Sequence, residues 1–415
     1  MTTTDTMIHH ESLGNGLVGA VEHLEGVRSV GARIFVPAGV IHEPIPMRGA
    51  SPVCAELLLR GSRTRPSRRQ ADLFDLAGAS REASARRRAL SIGARVLDAN
   101  LEQTLELLAD MLLDPAMEDE SFESARRLAL GSLASLDDDP QERAVLAARR
   151  RHLPDPDGRS EYGTREGLAA LTPGSLRDWW DAHKTPRGAV VALSGAVDPA
   201  LGLEMIRAAF GSWEGAGVEP ERGPRPERGY AHEPDDANQC QIVLVHDAPD
   251  AGHDDETLEM LVSAMLSGGM SGRLFTEVRE KRGLCYAVSS SYRPARGHGV
   301  VTAYVGTTPE RAQESLDVLC AELQRMNTGD AQPDELERAR IGLKSRLVFS
   351  GESTGARAGA IAGDIDTRGA PRTLAGITER IDAVTLDELN AYLARRTLGE
   401  TTIQTLGPDP LTPPW

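Results

Sequence analysis

Residues 267–292 read SGGMSGRLFTEVREKRGLCYAVSSSY, and the order of residue types in this stretch sets the local architecture. Upstream, the sequence from about Glu256 to Leu266 predicts a helix that stops at Gly268-Gly269, because glycine accepts the left-handed backbone that ends helices. Met270-Ser271-Gly272 prolongs the break as a flexible loop. A second, short helix is predicted next, with Leu274, Phe275 and Val278 facing inward and Gly283 ending it. From Leu284 to Ser291 the pattern predicts a strand in which Tyr286, Val288 and Ser290 share one face. The helix–glycine–strand reversal brings Arg279 and Tyr286 onto one surface.

Outward from this stretch the chain repeats itself. FESARRLALGSL at 122–133 matches LERARIGLKSRL at 336–347, an offset of 214. AALTPGSLRDWW at 169–180 matches DAVTLDELNAYL at 382–393, an offset of 213, and VVALSG at 190–195 matches TIQTLG at 402–407, an offset of 212. Three matches in one order at nearly constant spacing indicate duplication of a unit of about 200 residues. Glu214–His232, rich in Gly, Pro and charge, reads as the linker between halves. The domains expected are 1–213, a linker at 214–232, and 233–415.

Strands are predicted at Val27–Pro37, Arg88–Val96, Ala189–Gly195, Gln239–His246, Leu284–Ser291 and Gly299–Val305. A helix is predicted over Leu101–Leu113, where Leu101, Leu105, Leu108 and Leu112 line one face and Asn100 with Gln103 reads as a capping box. Its counterpart starts at Thr308-Pro309 and carries Leu316, Leu319, Cys320 and Leu323 as the same stripe. Strands interleaved with helices, with hairpin-like pairs, give an α+β layer fold in each half.

Composition narrows the function. The chain has 415 residues, enough for two to four domains, and its 40% hydrophobic content supports packed cores. A net charge of −16 argues against coating nucleic-acid phosphates. Cys54, Cys240, Cys285 and Cys320 include no C-x-x-C pair and read as reduced thiols. No signal-like segment or long apolar run is present, so a cytoplasmic protein without membrane contact is expected.

The 267–292 stretch closely resembles the hallmark of the second-half domain of the M16 (pitrilysin/insulinase-like) zinc peptidases, which include the mitochondrial processing peptidase. The matching residues are Ser271-Gly272-Arg273-Leu274-Phe275, Val278-Arg279-Glu280-Lys281 and Gly283-Leu284-Cys285-Tyr286. Weaker echoes are LGNGL at 13–17, LLADMLLDPAM at 107–117 and SLDDDP at 135–140. The resemblance implies two homologous LuxS/mitochondrial processing peptidase-like domains, each a mostly antiparallel sheet packed with helices. It implies that Arg279 and Tyr286 bind a substrate backbone, helped by the loop of Ser267, Gly268, Gly269 and Ser271. Arginine offers up to five fixed hydrogen bonds, and an extended peptide can pair along a sheet edge.

The same resemblance implies a zinc helix, H-x-x-E-H, with a second Glu some 75 residues on, in the first half. That helix aligns with GASPVCAELLLRGS at 49–62, which puts Pro52 and Glu56 at the His positions and Ala55 at the Glu position. The distal position falls at Gly131 or Ser132. No His lies between His42 and His152, and no Glu between Glu123 and Glu142, so zinc-activated water is not expected in this half. The chain is therefore expected to hold no cofactor of its own, with zinc in a partner chain bearing H-x-x-E-H, and to hold peptide for that partner. An M16-fold scaffold without proteolysis is the alternative reading.

Four further features are expected to be bland. His9-His10-Glu11 reads as a floppy polar tail. His246, Asp247, Asp250, His253, Asp254 and Asp255 read as a solvated loop before a helix, Cys285 as a buried strand thiol, and the basic runs Arg63–Arg69 and Arg86–Arg88 as solvated faces.

Overall fold

The computed structural model describes residues 7–220, 222–236 and 238–415. The strands are β1 (Ile8–Ser12), β2 (Val18–His23), β3 (Ser29–Val36), β4 (Ser80–Ala85), β5 (Leu90–Leu97), β6 (Val190–Gly195), β7 (Gly229–Pro234), β8 (Cys240–Ala248), β9 (Cys285–Ala295), β10 (His298–Thr307) and β11 (Thr402–Gly407). The helices are α1 (Ala50–Leu58), α2 (Ser67–Leu76), α3 (Leu101–Leu113), α4 (Asp119–Ala134), α5 (Pro140–His152), α6 (Arg165–Ala170), α7 (Pro173–His183), α8 (Pro199–Phe210), α9 (Glu256–Ser267), α10 (Ala312–Arg325), α11 (Pro333–Gly351), α12 (Thr354–Arg368), α13 (Leu374–Ala383) and α14 (Leu386–Arg395). Each sheet is mixed and mostly antiparallel, so the fold class is α+β, as the sequence predicts.

The chain folds into two compact units. The first takes the chain up to Ser135, Arg159–Gly223 and Phe349–Ala375, and the second takes Leu136–Gly158, Pro224–Val348 and Gly376–Trp415. The passage at Gly223/Pro224 falls inside the Gly/Pro-rich 214–232 segment, whose last residues already belong to β7.

In the first unit the sheet order is β1-β2-β6-β3-β5-β4, with only β2 and β6 parallel. One face packs on α1, α3, α4, α7 and α8 through residues such as Leu58, Leu108, Phe122, Trp180 and Phe210. The Leu101, Leu105, Leu108 and Leu112 stripe is fully buried here, as its spacing requires. The other face is covered by α12, whose Ile361, Ala362 and Ile365 meet Phe35, Val190 and Ala192. A Cβ on Gly31 of β3 would lie 2.4 Å from the backbone of Thr354, so only glycine admits the start of α12 this close to the sheet. Arg357 of α12 then forms a buried pair with Glu22 of β2 at 2.6 Å, and the Ser194 hydroxyl donates to the same carboxylate.

In the second unit the order is β7-β11-β8-β10-β9, with only β7 and β11 parallel. The core face takes α9, α10, α11, α13 and α14, and includes the predicted stripe of Leu316, Leu319, Cys320 and Leu323. The opposite face is covered by α5, whose Ala144 and Ala148 meet Val243, Val245 and Tyr304. α5 and α12 start 214 residues apart, at Pro140 and Thr354, the offset of the sequence repeat. The equivalent helix of each sequence half thus covers the sheet of the other half's unit.

Several local expectations are corrected. His9, His10 and Glu11 are not a tail: they form edge strand β1, antiparallel to β2, and Glu11 pairs with Arg207. Asn100 does not cap α3; its side-chain amide donates to the Ala77 carbonyl at 3.0 Å instead. Thr308-Pro309 opens a 3-10 turn, and the α-helix proper begins only at Ala312. Asp247 lies in β8 rather than in a loop, because the strand runs two residues beyond His246, its predicted end.

Candidate functional site

The distinctive stretch lies wholly in the second unit, at the free edge of its sheet. α9 ends at Ser267, and Gly268, Gly269 and Met270 are exposed. The backbone then widens into a π-helical turn, Phe275–Glu280, of the kind that recurs at functional sites. Leu274 and Val278 are fully buried and anchor it. Phe275, predicted to face inward, is only partly buried: its ring supports the Arg279 guanidinium, 5.0 Å away. Gly283 reverses the chain at φ +60, a left-handed conformation that costs glycine nothing. The Gly283 and Leu284 amides donate back to the carbonyls of Arg279 and Val278, which fixes the turn to the start of β9.

Arg279 is exposed, and among the described residues its guanidinium has no hydrogen-bond or ion-pair partner. Its neighbours differ. Lys281 and Arg282 both bind Glu277 at 2.7 Å, which holds that carboxyl below its ordinary range. Arg279 therefore presents five free donors on a ring platform. Cys285 sits within its field, yet burial still pushes the thiol up, so Cys285 is a poor nucleophile.

Among the described residues β9 pairs with β10 alone, and its other edge is free. The pairing slips at the start of β9: Gly306 faces Ala287 while Thr307 faces Cys285, so Tyr286 is the extra residue of a bulge. This overturns the predicted face. Val288 packs into the core below the sheet, whereas Tyr286 turns to the side of Tyr304 and α5. The Tyr286 hydroxyl donates to Gln239 at 2.8 Å, and the buried Tyr304 hydroxyl donates to Gln241 at 2.6 Å. Both hydroxyls converge on Gly306, where a Cβ would lie 2.5 Å from each. Burial pushes the Tyr304 phenol far up, so it stays a neutral donor. Nothing in the local sequence signals Gln239, Gln241, Tyr304 or Gly306 as members of this group, since they come together only through strand register.

A cavity of about 300 Å³ opens on the core side of the same edge. Ser263, Ser267 and Gly268 line it from α9 and its loop, Ser290 and Ser291 from β9, and Leu343 with Arg346 from α11. Ser271 lies outside this cavity, in an adjoining crevice that Arg346 also borders. The predicted loop residues Ser267, Gly268, Gly269 and Ser271 thus lie around the end of α9, with Ser267 and Gly268 bordering the cavity, Arg279 on the π-helical turn and Tyr286 at the start of β9.

The first unit supplies no comparable chemistry at the aligned zinc positions. α1 presents Pro52, a buried Ala55, and Glu56 held by Arg60 at 2.6 Å. Gly131 and Ser132, on α4, carry no carboxylate. The donor set does not fit a tetrahedral zinc centre, and no group of three His, Cys, Asp or Glu suited to a metal occurs among the described residues. What α1 keeps is packing, through Val53, Cys54, Leu57 and Leu58. A buried Glu43 receives the amides of Gly49 and Ser51 at 2.9 and 2.7 Å at the start of this helix.

The acidic cluster is divided among separate roles. Asp247 binds Arg228 at 2.6 Å and His152 at 3.1 Å, and against the cost of burial the hydrogen bonds from His152 and Arg228 hold its carboxyl well below the usual range. His246 is enclosed and contacts Arg396, which itself grips Glu259 through two 2.8 Å bonds. Asp255 pairs with Arg395, and the His253 ring accepts the Asp255 amide. The basic runs are also engaged, Arg63 with Asp114 and Arg86 over the Phe35 ring.

The chain is thus a pair of repeated α+β units, the first with no metal-suited group of His, Cys, Asp or Glu among its described residues and the second with an exposed Arg279 and Tyr286 on either side of the turn into β9. A family profile described as insulinase (peptidase family M16) matches residues 18–155, and one described as peptidase M16 inactive domain matches residues 170–343. The chain belongs to the M16 peptidase family. It is 29% identical over 413 residues to a protein of Streptomyces coelicolor described as an uncharacterized zinc protease, covering 97% of this chain and 90% of that one. A Bacillus subtilis protein of the same description is 25% identical over 400 residues, covering 95% and 96%. In fold, the chain is similar to a protease from Helicobacter pylori, with a TM-score of 0.85 at 18% identity over 97% of this chain and 99% of that one. It is equally similar to a peptidase M16 inactive domain from Pseudomonas fluorescens, with a TM-score of 0.85 at 20% identity over 98% and 100%. No helix among the described residues is long and apolar enough to cross a membrane.

Proposed function

We propose that this chain is the non-catalytic, substrate-holding subunit of a two-chain M16 zinc metallopeptidase, and that a partner chain bearing H-x-x-E-H supplies the metal. The observation that carries the reading is the unpartnered Arg279 guanidinium, stacked on Phe275 beside the free edge of β9 and the exposed Tyr286. An extended peptide pairs its main chain with that edge, and Arg279 and Tyr286 fix its register by hydrogen bonds to its carbonyls. Zinc on the partner supplies a polarised carbonyl and an activated water when bound. This chain's part is to hold the peptide still, which matters because small displacements of a reacting bond cost large factors in rate.

The test is reconstitution with an M16 chain that carries H-x-x-E-H. This chain alone is expected to cleave no peptide and bind no stoichiometric zinc, while the pair cleaves and a chelator abolishes the activity. Arg279→Ala is expected to lower cleavage by the pair about a hundredfold, the scale of a misplaced substrate. Full activity from the Arg279→Ala, Tyr286→Phe double variant would refute the assignment.

A further inference from the structure

The cavity beside β9 has a chemistry that the arginine–tyrosine pair does not use. Among the described residues lining it, Arg346 carries the only charge, and it has no hydrogen-bond or ion-pair partner. Glu335, which borders the adjoining crevice together with Arg346, is committed to Arg273 at 2.6 Å. A second observation points the same way. Ser290 is 8% exposed, lines the cavity, and its Oγ has no hydrogen-bond partner. A buried hydroxyl left unpaired is costly, and such groups in native proteins ordinarily await a partner. Arg346 offers donors without an acceptor, and Ser290 offers one more. Ser263, Ser267 and Ser291 ring the same space with hydroxyls, while Leu343 closes one side with an apolar wall.

We infer that Arg346 and Ser290 form a subsite for an aspartate or glutamate side chain of the peptide lying along β9. A carboxylate accepts from several donors at once, which no lysine, amide or alkyl side chain does as well here. Aspartate and glutamate fit the cavity's volume, and the serine hydroxyls rotate to complete their hydrogen bonds. The inference rests on the reading that the β9 edge takes the substrate. It adds a specificity that this reading lacks. The subsite lies four to five residues along β9 from Tyr286, about 13–17 Å at strand rise. The acidic residue therefore stands four or five positions from the peptide residue held at Tyr286.

The experiment measures binding of fluorescent decapeptides to the isolated full-length chain by anisotropy. The peptides are acetylated and amidated, so that a terminal carboxylate cannot imitate the side chain, and carry one Glu, Gln or Lys at each position in turn. The chain is expected to prefer Glu over Gln about fivefold at one register, the upper range for a solvent-accessible ion pair. Arg346→Gln should erase the preference and Arg346→Glu should turn it towards Lys. Arg279→Ala should weaken all peptides together while leaving the Glu/Gln ratio intact. If peptides bind in an Arg279-dependent manner but the ratio is one, or if it survives Arg346→Gln, the subsite is wrong and the substrate-holding role stands. If no peptide binds, both fall together.

Discussion

Gly306→Ala tests whether the tyrosine pair is positioned by the sheet or merely adjacent to it. Gly306 lies in β10 beside the register slip but without a left-handed backbone, so alanine is conformationally allowed there and gains roughly 0.4–1 kcal/mol by stiffening the unfolded chain. Against this, the new methyl would lie 2.5 Å from both the Tyr286 and Tyr304 hydroxyls and 2.7 Å from Tyr286 Cζ. Ordinary contact needs about an ångström more. Tyr304 is 4% exposed and cannot swing away, whereas Tyr286 is 46% exposed and can. Tyr286 therefore moves, and its 2.8 Å bond to Gln239 is lost, at about 0.5–1.5 kcal/mol. Any movement of Tyr304 strands the buried Gln241 acceptor and adds about 1–3 kcal/mol. The expected balance is a destabilisation of no more than about 1 kcal/mol while Tyr304 stays in place, measured as a shift in the urea midpoint without a change in slope. Peptide cleavage by the reconstituted pair should fall far more than this implies, since an ångström at a positioning group is worth up to about a hundredfold. The effect should shrink when Tyr286→Ala is already present, because the two sites share the contact. Unchanged stability together with unchanged cleavage would refute the convergence, and strictly additive effects would refute the coupling.

Arg279→Ala should leave stability within about 1 kcal/mol of the parent by chemical denaturation, because only the ring contact with Phe275 is lost; a larger drop would mean the residue is structural. Glu22→Gln should destabilise the first unit by about 3–5 kcal/mol, because it leaves Arg357 charged at 3% side-chain exposure, while the paired exchange Glu22→Leu, Arg357→Met should recover most of the loss; denaturant midpoints of the three variants decide it. Acid should destabilise the protein. Burial lowers His42 and His246 from 6.5 to about 4 and also lowers His152 and His183, so between pH 6.5 and 4 the unfolded chain binds protons that the folded one refuses. Stability from these groups is complete above pH 6.5 and lost as pH falls, on the order of 3 kcal/mol each for His42 and His246. Glu43, pushed up to about 7 by burial, has the opposite slope but is outnumbered. Melting temperature should therefore drop from pH 7 to 4.5, and a flat or rising profile would contradict the burial of the histidines.

Legibility followed the strength of the local signal. Helix α3 spans Leu101–Leu113 as predicted, because four leucines at steps of four and three admit one face and that face is buried. β3, β5 and β6 fell within two residues of expectation for the same reason: each carries several valine, isoleucine or leucine residues that enter the core. β1 and β4 escaped because IHHES and SREASA are polar or small, and what makes them strands is pairing at the sheet's two edges. The capping residue Asn100 had the right spacing, yet a tertiary partner, the Ala77 carbonyl, outcompeted the helix. Within the site, the stretch 267–292 gave the turn, the glycines, Arg279 and Tyr286. It could not give the direction of Tyr286, since one inserted residue reverses a period of two.

That reversal bears on why the motif has its spacing. With regular alternation, Tyr286 would join Val288 against the core and its hydroxyl would be buried under α9. The bulge instead sends it to the side where Gln239 and Tyr304 wait, and Gly306 is left bare to receive it. On the π-helical turn Arg279 stands four residues after Phe275, and its guanidinium lies over that ring while remaining exposed. Two irregularities joined by the left-handed Gly283 thus leave Arg279 exposed on its turn and lay the Tyr286 ring from the edge strand across β10 towards Gln239. Deviations of this kind cost stability and persist where they position groups for something outside the fold. At α1 there is no such deviation: Pro52, Ala55 and Glu56 sit in a regular helix, the last paired to Arg60 four residues on. Irregular backbone is thus retained where the grip on peptide is proposed, and only packing is retained where the metal would have been.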